Sequence, residues 1–361
     1  MIDKIFEMYV EMYKKEWSKE IGINENLNDI LNSKSKDNLL RIITLYKTST
    51  SNKAIDILDF KRKSKKDLIE CIVNNIKDIV KNTLIKSSSD IYNQLVELSK
   101  NDGYDKVILS EDSMYKYSVR FATYLYDSYF GKVYYNKSNN NVELFLPKEV
   151  TTLVLNLSKD KQIVKDNKKY NKFLEFLQGL LESYGVFELM ELVDLLNNYN
   201  INYTYDELLN NLLSEIQKGE FNLIKYKNSY IISNISFDEE DDAIKFYESV
   251  KDLDINDKLS YNDIVKMGKY TYIDNLEEYK DLKNFLLNNY DINEIDIEEI
   301  KFDIVDDYMF SRKLDKKQAI SNFRINVEKI FDIDPIIENI IINKLEKIYE
   351  KLPKWEKRGN I

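Results

Sequence analysis

The sequence predicts a mainly α protein with small β-hairpins, built from several modules that include winged-helix-like units. Apolar residues recur three and four positions apart in segment after segment of the 361-residue chain, which is typical of amphipathic helices. Only 8 Gly and 3 Pro are present, and this scarcity disfavours turn-rich β-sandwiches. Short alternating stretches on either side of polar turns predict the hairpins.

Five segments are expected along the chain, because its periodicity and charge change at four places. In order they are an N-terminal helix (1–26), a basic helical module (27–86), a first winged-helix-like unit (87–160), a second winged-helix-like unit (161–235) and an acidic C-terminal helical domain (236–361).

The basic module is predicted to contain two helices with serine caps. Ser35 caps the first, which continues to about Tyr46. After a polar link, Ser64 caps the second, with Asp67 at the capping-box position. The second helix is expected to run on without a break, since its apolar residues fall on one side: Leu68, Ile69, Ile72, Ile76 and Ile79.

Two stretches of this module resemble a known family. They are Asp37-Asn38-Leu39-Leu40 in the first helix and Lys65-Lys66-Asp67-Leu68-Ile69 in the second. On these residues the segment resembles the SAP and Rho-N-terminal family of small nucleic-acid-binding modules. The resemblance implies a compact helical module that binds nucleic acid.

The candidate binding site is a group of basic residues where the second helix begins: Lys61, Arg62, Lys63, Lys65 and Lys66. Free backbone N–H groups and the helix dipole already favour anions at such a place. Lysine contacts with phosphates would give affinity without base specificity. The same face is predicted to extend to Arg41, Lys47 and Lys53. The alternative interpretation is a solvated charge run with no ligand.

The two winged-helix-like units are predicted from helices followed by a hairpin. The first has helices at about Ile91–Lys100 and Asp112–Tyr129 and strands Lys132–Asn136 and Val142–Leu146. The second has helices at about Lys172–Tyr184, Phe187–Asn198 and Tyr205–Lys218 and strands Asn222–Tyr226 and Ser229–Ser233.

The third helix of the second unit argues against DNA binding there. A winged helix normally reads DNA with this helix. Here it carries Asp206, Glu207 and Glu215, whose carboxylates would repel phosphates. We therefore expect the second unit to bind protein or to be structural.

Charge is unevenly distributed, although the net charge is −10. Residues 33–86 contain 13 Lys/Arg and 6 Asp/Glu, a net charge of +7. Residues 234–310 contain 8 Lys/Arg and 22 Asp/Glu, a net charge of −14. We expect the basic module to contact nucleic acid and the acidic region to dock a protein partner. A further hypothesis is that the acidic region covers the basic module.

The absence of histidine excludes many catalytic and metal sites. The chain has no His and one Cys, Cys71, so it cannot form a Ser-His-Asp triad, a zinc finger or an HExxH site. It also lacks a glycine-rich phosphate loop. Catalysis by two carboxylates remains an alternative, but a mostly helical chain offers it poor support. The sequence predicts no cofactor and no enzymatic activity.

Two features of the C-terminal half bear on metal binding. The carboxylates of residues 238–242 are consecutive, whereas a metal site needs spaced ligands that converge, so they are predicted to favour a helix start instead. The tail Leu352–Gly359 is similar to that of uncharacterised bacterial helical proteins that often end in a SecA-type zinc-binding module. Because the Cys and His ligands of that module are absent, the resemblance implies a scaffold and no metal.

The expected location is the cytoplasm. A single cysteine cannot form an intrachain disulfide, the N-terminal stretch lacks the apolar core of a signal peptide, and no apolar run approaches the length of a membrane span. We predict a non-enzymatic protein that binds nucleic acid through the basic module, with no membrane partner. The alternative is a protein-interaction or regulatory scaffold of a phage or mobile element.

Overall fold

The computed structural model describes residues 11–12, 14–15, 17, 26–50, 60–108, 121–122, 124–125, 130–215, 221–237, 239–305, 316–328 and 335–360. These residues are mainly helical, with two small three-stranded antiparallel sheets, which confirms the predicted fold class. They fall into two compact units, Met1–Lys172 (unit 1) and Phe173–Ile361 (unit 2). The division into five segments stays a prediction. Among the described helices, none combines the length and apolar character needed to cross a membrane.

In unit 1, helices both precede and follow the strands of the sheet along the chain. Its elements are α1 (Leu27–Ser33), α2 (Lys36–Thr50), α3 (Lys65–Asn74), α4 (Ile76–Lys86), α5 (Ser89–Lys100), β1 (Tyr104–Ile108), β2 (Lys132–Asn136), β3 (Asn141–Phe145), α6 (Lys148–Leu157) and the first half of α7 (Lys161–Tyr184). One continuous apolar core joins them, and α6 packs on α4 and α5.

The sheet of unit 1 has a strand that the alternation pattern did not predict. The predicted hairpin forms as β2 and β3, but β1 pairs with the other edge of β3, so the strand order is β1-β3-β2. The chain enters β1 through Gly103, which has a φ of +76° and lies so close to β3 that an added Cβ would be 2.4 Å from the Leu146 carbonyl oxygen. An edge strand of this kind depends on its pairing rather than on its own residue pattern.

The second helix of the basic module breaks at Asn75, so the expectation of one continuous helix was wrong. Asn75 leaves helical geometry with a φ of −113° and a ψ of 12°. Its side-chain nitrogen donates to the Cys71 carbonyl oxygen at 2.8 Å, and its side-chain oxygen accepts from the Tyr46 hydroxyl at 3.0 Å. An Asn side chain that bonds to nearby backbone competes with the helix at that point. α3 and α4 are therefore separate helices.

Helix α7 begins at Lys161, well before the predicted start at Lys172. Its inner side holds buried Ile163, Asn167 and Tyr170. The Asn167 side-chain nitrogen donates to the Leu84 and Ser87 carbonyl oxygens, each at 2.8 Å, where α4 ends. One turn later, the Asn171 side chain donates to the same Ser87 oxygen at 3.0 Å and accepts from the Ser89 N–H at 3.1 Å. These bonds satisfy backbone groups at a helix end and a helix start, and they fix one side of α7 against α4 and α5.

Unit 2 continues from the second half of α7. Its further elements are β4 (Val186–Glu188), α8 (Leu189–Asn198), α9 (Tyr205–Glu215), β5 (Phe221–Tyr226), β6 (Ser229–Asn234), α10 (Glu240–Val250), α11 (Tyr261–Gly268), α12 (Glu277–Asn289), α13 (Glu294–Val305), α14 (Lys316–Val327) and α15 (Pro335–Tyr349). The sheet order is β4-β6-β5, in which the short strand β4 pairs with the far strand of the hairpin. The prediction of a helix from Phe187 was wrong at its start, because Phe187 and Glu188 belong to β4.

The C-terminal tail packs into unit 2 around Trp355. The indole is buried, stacks on Phe237 with ring centroids 5.7 Å apart, and donates its N–H to the Glu182 carbonyl oxygen at 2.7 Å. Gly185, with a φ of +79°, gives it room, because an added Cβ would lie 2.5 Å from the indole ring. The buried Arg358 guanidinium reaches the Glu191 carboxylate at 2.7 Å. The tail is thus an integral part of the unit 2 core.

We predict that Trp355→Ala lowers the free energy of unfolding by about 3–5 kcal/mol, because it removes a buried indole and leaves a cavity. Urea unfolding followed by far-ultraviolet circular dichroism measures this change. Ile295→Ala, at a side chain that is 76% exposed, is the control and is expected to change stability by no more than about 0.5 kcal/mol. Equal losses of stability in the two variants would contradict the structural role of the tail.

Candidate nucleic-acid interface

The basic cluster, defined as Lys61, Arg62, Lys63, Lys65 and Lys66, lies at the start of α3. Its position is fixed by the predicted capping box. The Ser64 hydroxyl oxygen accepts from the Asp67 N–H at 3.2 Å, and the Asp67 carboxylate accepts from the Ser64 N–H at 3.1 Å and from the Ser64 hydroxyl at 2.7 Å. The two residues therefore hold the first turn of α3 in place.

A second helix start lies beside the first. Ser35 caps α2 by accepting from the Asn38 N–H at 3.1 Å, as predicted. The Lys36 ammonium donates to the Lys61 carbonyl oxygen at 2.8 Å, and the Lys65 ammonium donates to the Asn32 carbonyl oxygen at 2.6 Å. The first contact joins the start of α2 to the residues just before α3, and the second joins the start of α3 to the last turn of α1, which directly precedes α2. The positive ends of two helix dipoles and six basic side chains therefore share one region of the surface.

All five residues of the basic cluster are exposed, and none forms an ion pair with a carboxylate of the described chain. Lys63 lies over the Phe60 ring, with its nitrogen 4.8 Å from the ring centroid, and this contact leaves its charge uncompensated. One acidic group of the first turn of α3 is Asp67. The hydrogen bonds from Ser64, and then the charges of Lys63 and Lys66, lower the pKa of Asp67, so it stays ionised and offsets one positive charge. The region still keeps a positive excess.

Of the three outlying candidates, Arg41 is the one whose side chain lies within the described residues. Arg41 is exposed on α2, but it lies about 140° around the helix from Lys36, so it faces another side. Lys47 is in α2, and its side chain lies outside the described residues. Lys53 also lies outside them. A common face that includes these three residues stays a prediction.

A second basic surface is present on α7, and the sequence analysis missed it. Five exposed lysines occupy the half of α7 that belongs to unit 1: Lys161, Lys165, Lys168, Lys169 and Lys172. The signal was the i, i+4, i+7, i+11 spacing, which places residues on one side of a helix. The predicted helix began only at Lys172, so the other four lysines lay outside it and their common side of the helix was not recognised.

Unit 2 offers little to a polyanion. In α9, Asp206 and Glu207 are exposed, and Glu207 closes a capping box by accepting from the Thr204 N–H at 2.9 Å. Glu240, Asp241 and Asp242 occupy the first turn of α10, where acids favour a helix start. Asp238, the first residue of the predicted carboxylate run, lies outside the described residues.

The described residues contain no group of three or more Cys, Asp or Glu side chains placed to hold a metal ion. A cavity of about 220 Å³ lies between α14 and α15. Its walls are largely apolar, and its two charged groups, Arg324 and Glu338, pair with each other at 2.8 Å. The two charged groups of this cavity thus neutralise each other.

Comparison with known proteins gives no match: no family model, no curated protein and no solved structure is similar to this chain.

The capping box that positions the basic cluster makes a prediction about stability. We expect Ser64→Ala to lower the free energy of unfolding by about 0.5–2 kcal/mol, because it removes the cap of α3. Chemical unfolding of the full chain measures this change. Ser89→Ala, at an exposed position inside the first turn of α5, is the control and should have a smaller effect. An unchanged stability in Ser64→Ala would contradict the capping role.

Asp67 makes a prediction about pH. Because its pKa is lowered in the folded protein, its contribution to stability is present above the unfolded pKa of about 3.9 and is lost as the pH falls through the folded value. Asp67→Asn should therefore destabilise the protein more at neutral pH than at about pH 3, which lies below the unfolded pKa. Unfolding free energies at the two pH values test this, with the exposed Glu70→Gln as control. The same destabilisation at both pH values would contradict the account.

Proposed function

We propose that the protein is a non-enzymatic, cytoplasmic nucleic-acid-binding protein that contacts phosphates through the basic cluster of unit 1. The observation that carries the proposal is the meeting of two capped helix starts, α2 and α3, under six exposed basic side chains. Oriented N–H groups and lysines together favour phosphate oxygens.

The chemistry of the site indicates backbone contacts rather than base reading. Lysines and helix starts hold phosphates at a fixed position but carry no sequence information. Arg, Asn and Gln side chains form bidentate hydrogen bonds with base edges. The basic cluster contains one arginine, Arg62, and no Asn or Gln. The proposed binding is therefore independent of sequence and sensitive to salt.

The fold supports the proposal by analogy. We infer winged-helix-like units from the strand orders β1-β3-β2 and β4-β6-β5, in which a strand after a helix pairs with the last strand of a hairpin. In unit 2 the helices α8 and α9 separate that strand from the hairpin. Because fold alone does not give function, this analogy adds less weight than the basic cluster.

A second candidate function is protein docking by the acidic C-terminal region. It is favoured by α13, on which Ile295 and Phe302 are 76% and 49% exposed, seven residues apart on one side. Exposed apolar side chains among carboxylates suit a protein partner better than a nucleic acid. A nucleic-acid-binding unit joined to a partner-binding unit combines both proposals.

Fluorescence anisotropy with labelled single-stranded RNA, single-stranded DNA and duplex DNA tests the main proposal across a salt series. We expect Lys61→Glu/Arg62→Glu/Lys66→Glu to weaken binding by about tenfold or more and to reduce the salt slope by about 0.9 for each phosphate that the variant no longer binds. The control is Lys225→Glu/Lys258→Glu/Lys347→Glu, three exposed lysines of unit 2 with the same total charge change. Equal reductions in affinity in the two variants, or no binding by the wild type at low salt, would contradict the proposal.

A further inference from the structure

The exposed side of α7 in unit 1 carries a line of positive charge, called here the α7 stripe: Lys161, Lys165, Lys168, Lys169 and Lys172. At 3.6 residues per turn, four of them lie within an arc of about 60°, and Lys169 lies about 40° beyond it. The stripe is about 16 Å long at 1.5 Å per residue. The helix is fixed behind it by Asn167 and Asn171, so the lysines are held outward on a rigid support.

The lysines of the α7 stripe differ from several other helical lysines of the chain. Those lysines follow a carboxylate by three residues and pair with it, as in Lys100–Glu97 and Lys280–Glu277, each at 2.6 Å, and Lys245–Asp242 at 3.8 Å. In the stripe, no lysine pairs with a carboxylate of the described chain. The stripe therefore holds five positive charges on one side of one helix, without an ion pair in the described chain.

The arrangement opposes helix stability. The five lysines make five like-charge pairs at three- or four-residue spacing, and each such pair is repulsive. Lys161 also lies in the first turn, where the helix dipole disfavours a cation, and the carboxylate at this helix start, Asp160, accepts from the Gln162 N–H at 2.8 Å. The one carboxylate in this half of α7, Asp166, lies three residues before Lys169 but accepts from the Gln162 amide at 2.7 Å and forms no ion pair with that lysine. Binding of an anion along the stripe would relieve this repulsion.

We propose that the α7 stripe is a second binding surface for the phosphodiester backbone of a nucleic acid, separate from the basic cluster. Its length matches about five phosphates along one strand of a duplex, which are 3.4 Å apart along the axis. Lysine is favoured in phosphate contacts and depleted in protein–protein interfaces, and the stripe has no exposed large apolar residue to anchor a protein.

The same feature argues against a membrane. A helix that lies on a lipid surface inserts an apolar side. The apolar residues Ile163 and Tyr170 of this half of α7 are buried in the protein. The stripe therefore presents no apolar side for insertion into a lipid surface. The experiment still compares nucleic acid with anionic lipid, because both carry phosphates that lysines could contact.

The test uses the full chain with Lys165→Glu/Lys168→Glu/Lys172→Glu, and the control is the unit 2 variant Lys225→Glu/Lys258→Glu/Lys347→Glu. Binding is measured by anisotropy to labelled duplex DNA and single-stranded RNA at low salt, and by flotation with phosphatidylserine–phosphatidylcholine vesicles. We expect nucleic-acid affinity to fall by about tenfold in the stripe variant and by less in the control, and we expect no vesicle binding by the wild type. The melting temperature of the stripe variant should not fall, because three of the five repulsive pairs become attractive.

Each outcome decides the inference. Wild-type affinity in the stripe variant, a reduction equal to that of the control, or a charge-dependent binding to vesicles alone would overturn it. If the stripe variant loses affinity and the basic-cluster variant does not, the inference holds and the proposed function of the basic cluster fails. The opposite result rejects the inference and keeps that function. If the Glu variant has a lower melting temperature than the wild type, a variant with Gln at the same three positions replaces it. The inference then requires that the Gln variant bind nucleic acid more weakly than both the wild type and the control variant.

Discussion

The arrangement of unit 1 depends on how the Asn167 amide meets the end of α4. Buried carbonyl oxygens at a helix end must be bonded, and Leu84 and Ser87 each accept a bond from this side chain, with a second bond to Ser87 from Asn171. Ile163 and Tyr170 are buried on the same side of α7. Because the inner side of α7 is fixed in this way, its lysines can only face outward. One polar contact in the core thus sets the position of a charged surface.

The function that we propose follows from charges that the fold leaves without partners. Some helical lysines of the chain are balanced by a carboxylate one turn earlier, as in Lys100–Glu97 and Lys280–Glu277, and exposed pairs of this kind contribute little to stability. The basic cluster and the α7 stripe are different, since both hold several lysines in fixed places with little or no neutralising charge. Unit 2 shows the reverse balance, with acids at the starts of α9 and α10. A division of labour between a polyanion-binding unit and a partner-binding unit accounts for both patterns.

The sequence was sufficient for features that local chemistry determines, and insufficient for those that depend on distant contacts. The caps at Ser35 and Ser64 and both hairpins were predictable from turn and capping residues. Strands β1 and β4 were missed because each becomes a strand only by pairing with a hairpin far along the chain. The Asn75 side chain at the helix break also accepts a bond from Tyr46 on another helix, and the contact between the two helix starts depends on Lys36 reaching Lys61. The basic cluster was therefore predictable as a charge run, but not as the meeting point of two helices.

The central claim is that the lysines of unit 1 without acidic partners contact phosphate. The most direct test is lysine acetylation of the full chain, read by mass spectrometry with and without saturating duplex DNA or single-stranded RNA. The account predicts that nucleic acid protects Lys61, Lys66, Lys165 and Lys168 from acetylation and leaves the exposed unit 2 lysine Lys258 as reactive as before. Equal reactivity of all these lysines with and without nucleic acid, or protection confined to unit 2, would contradict it.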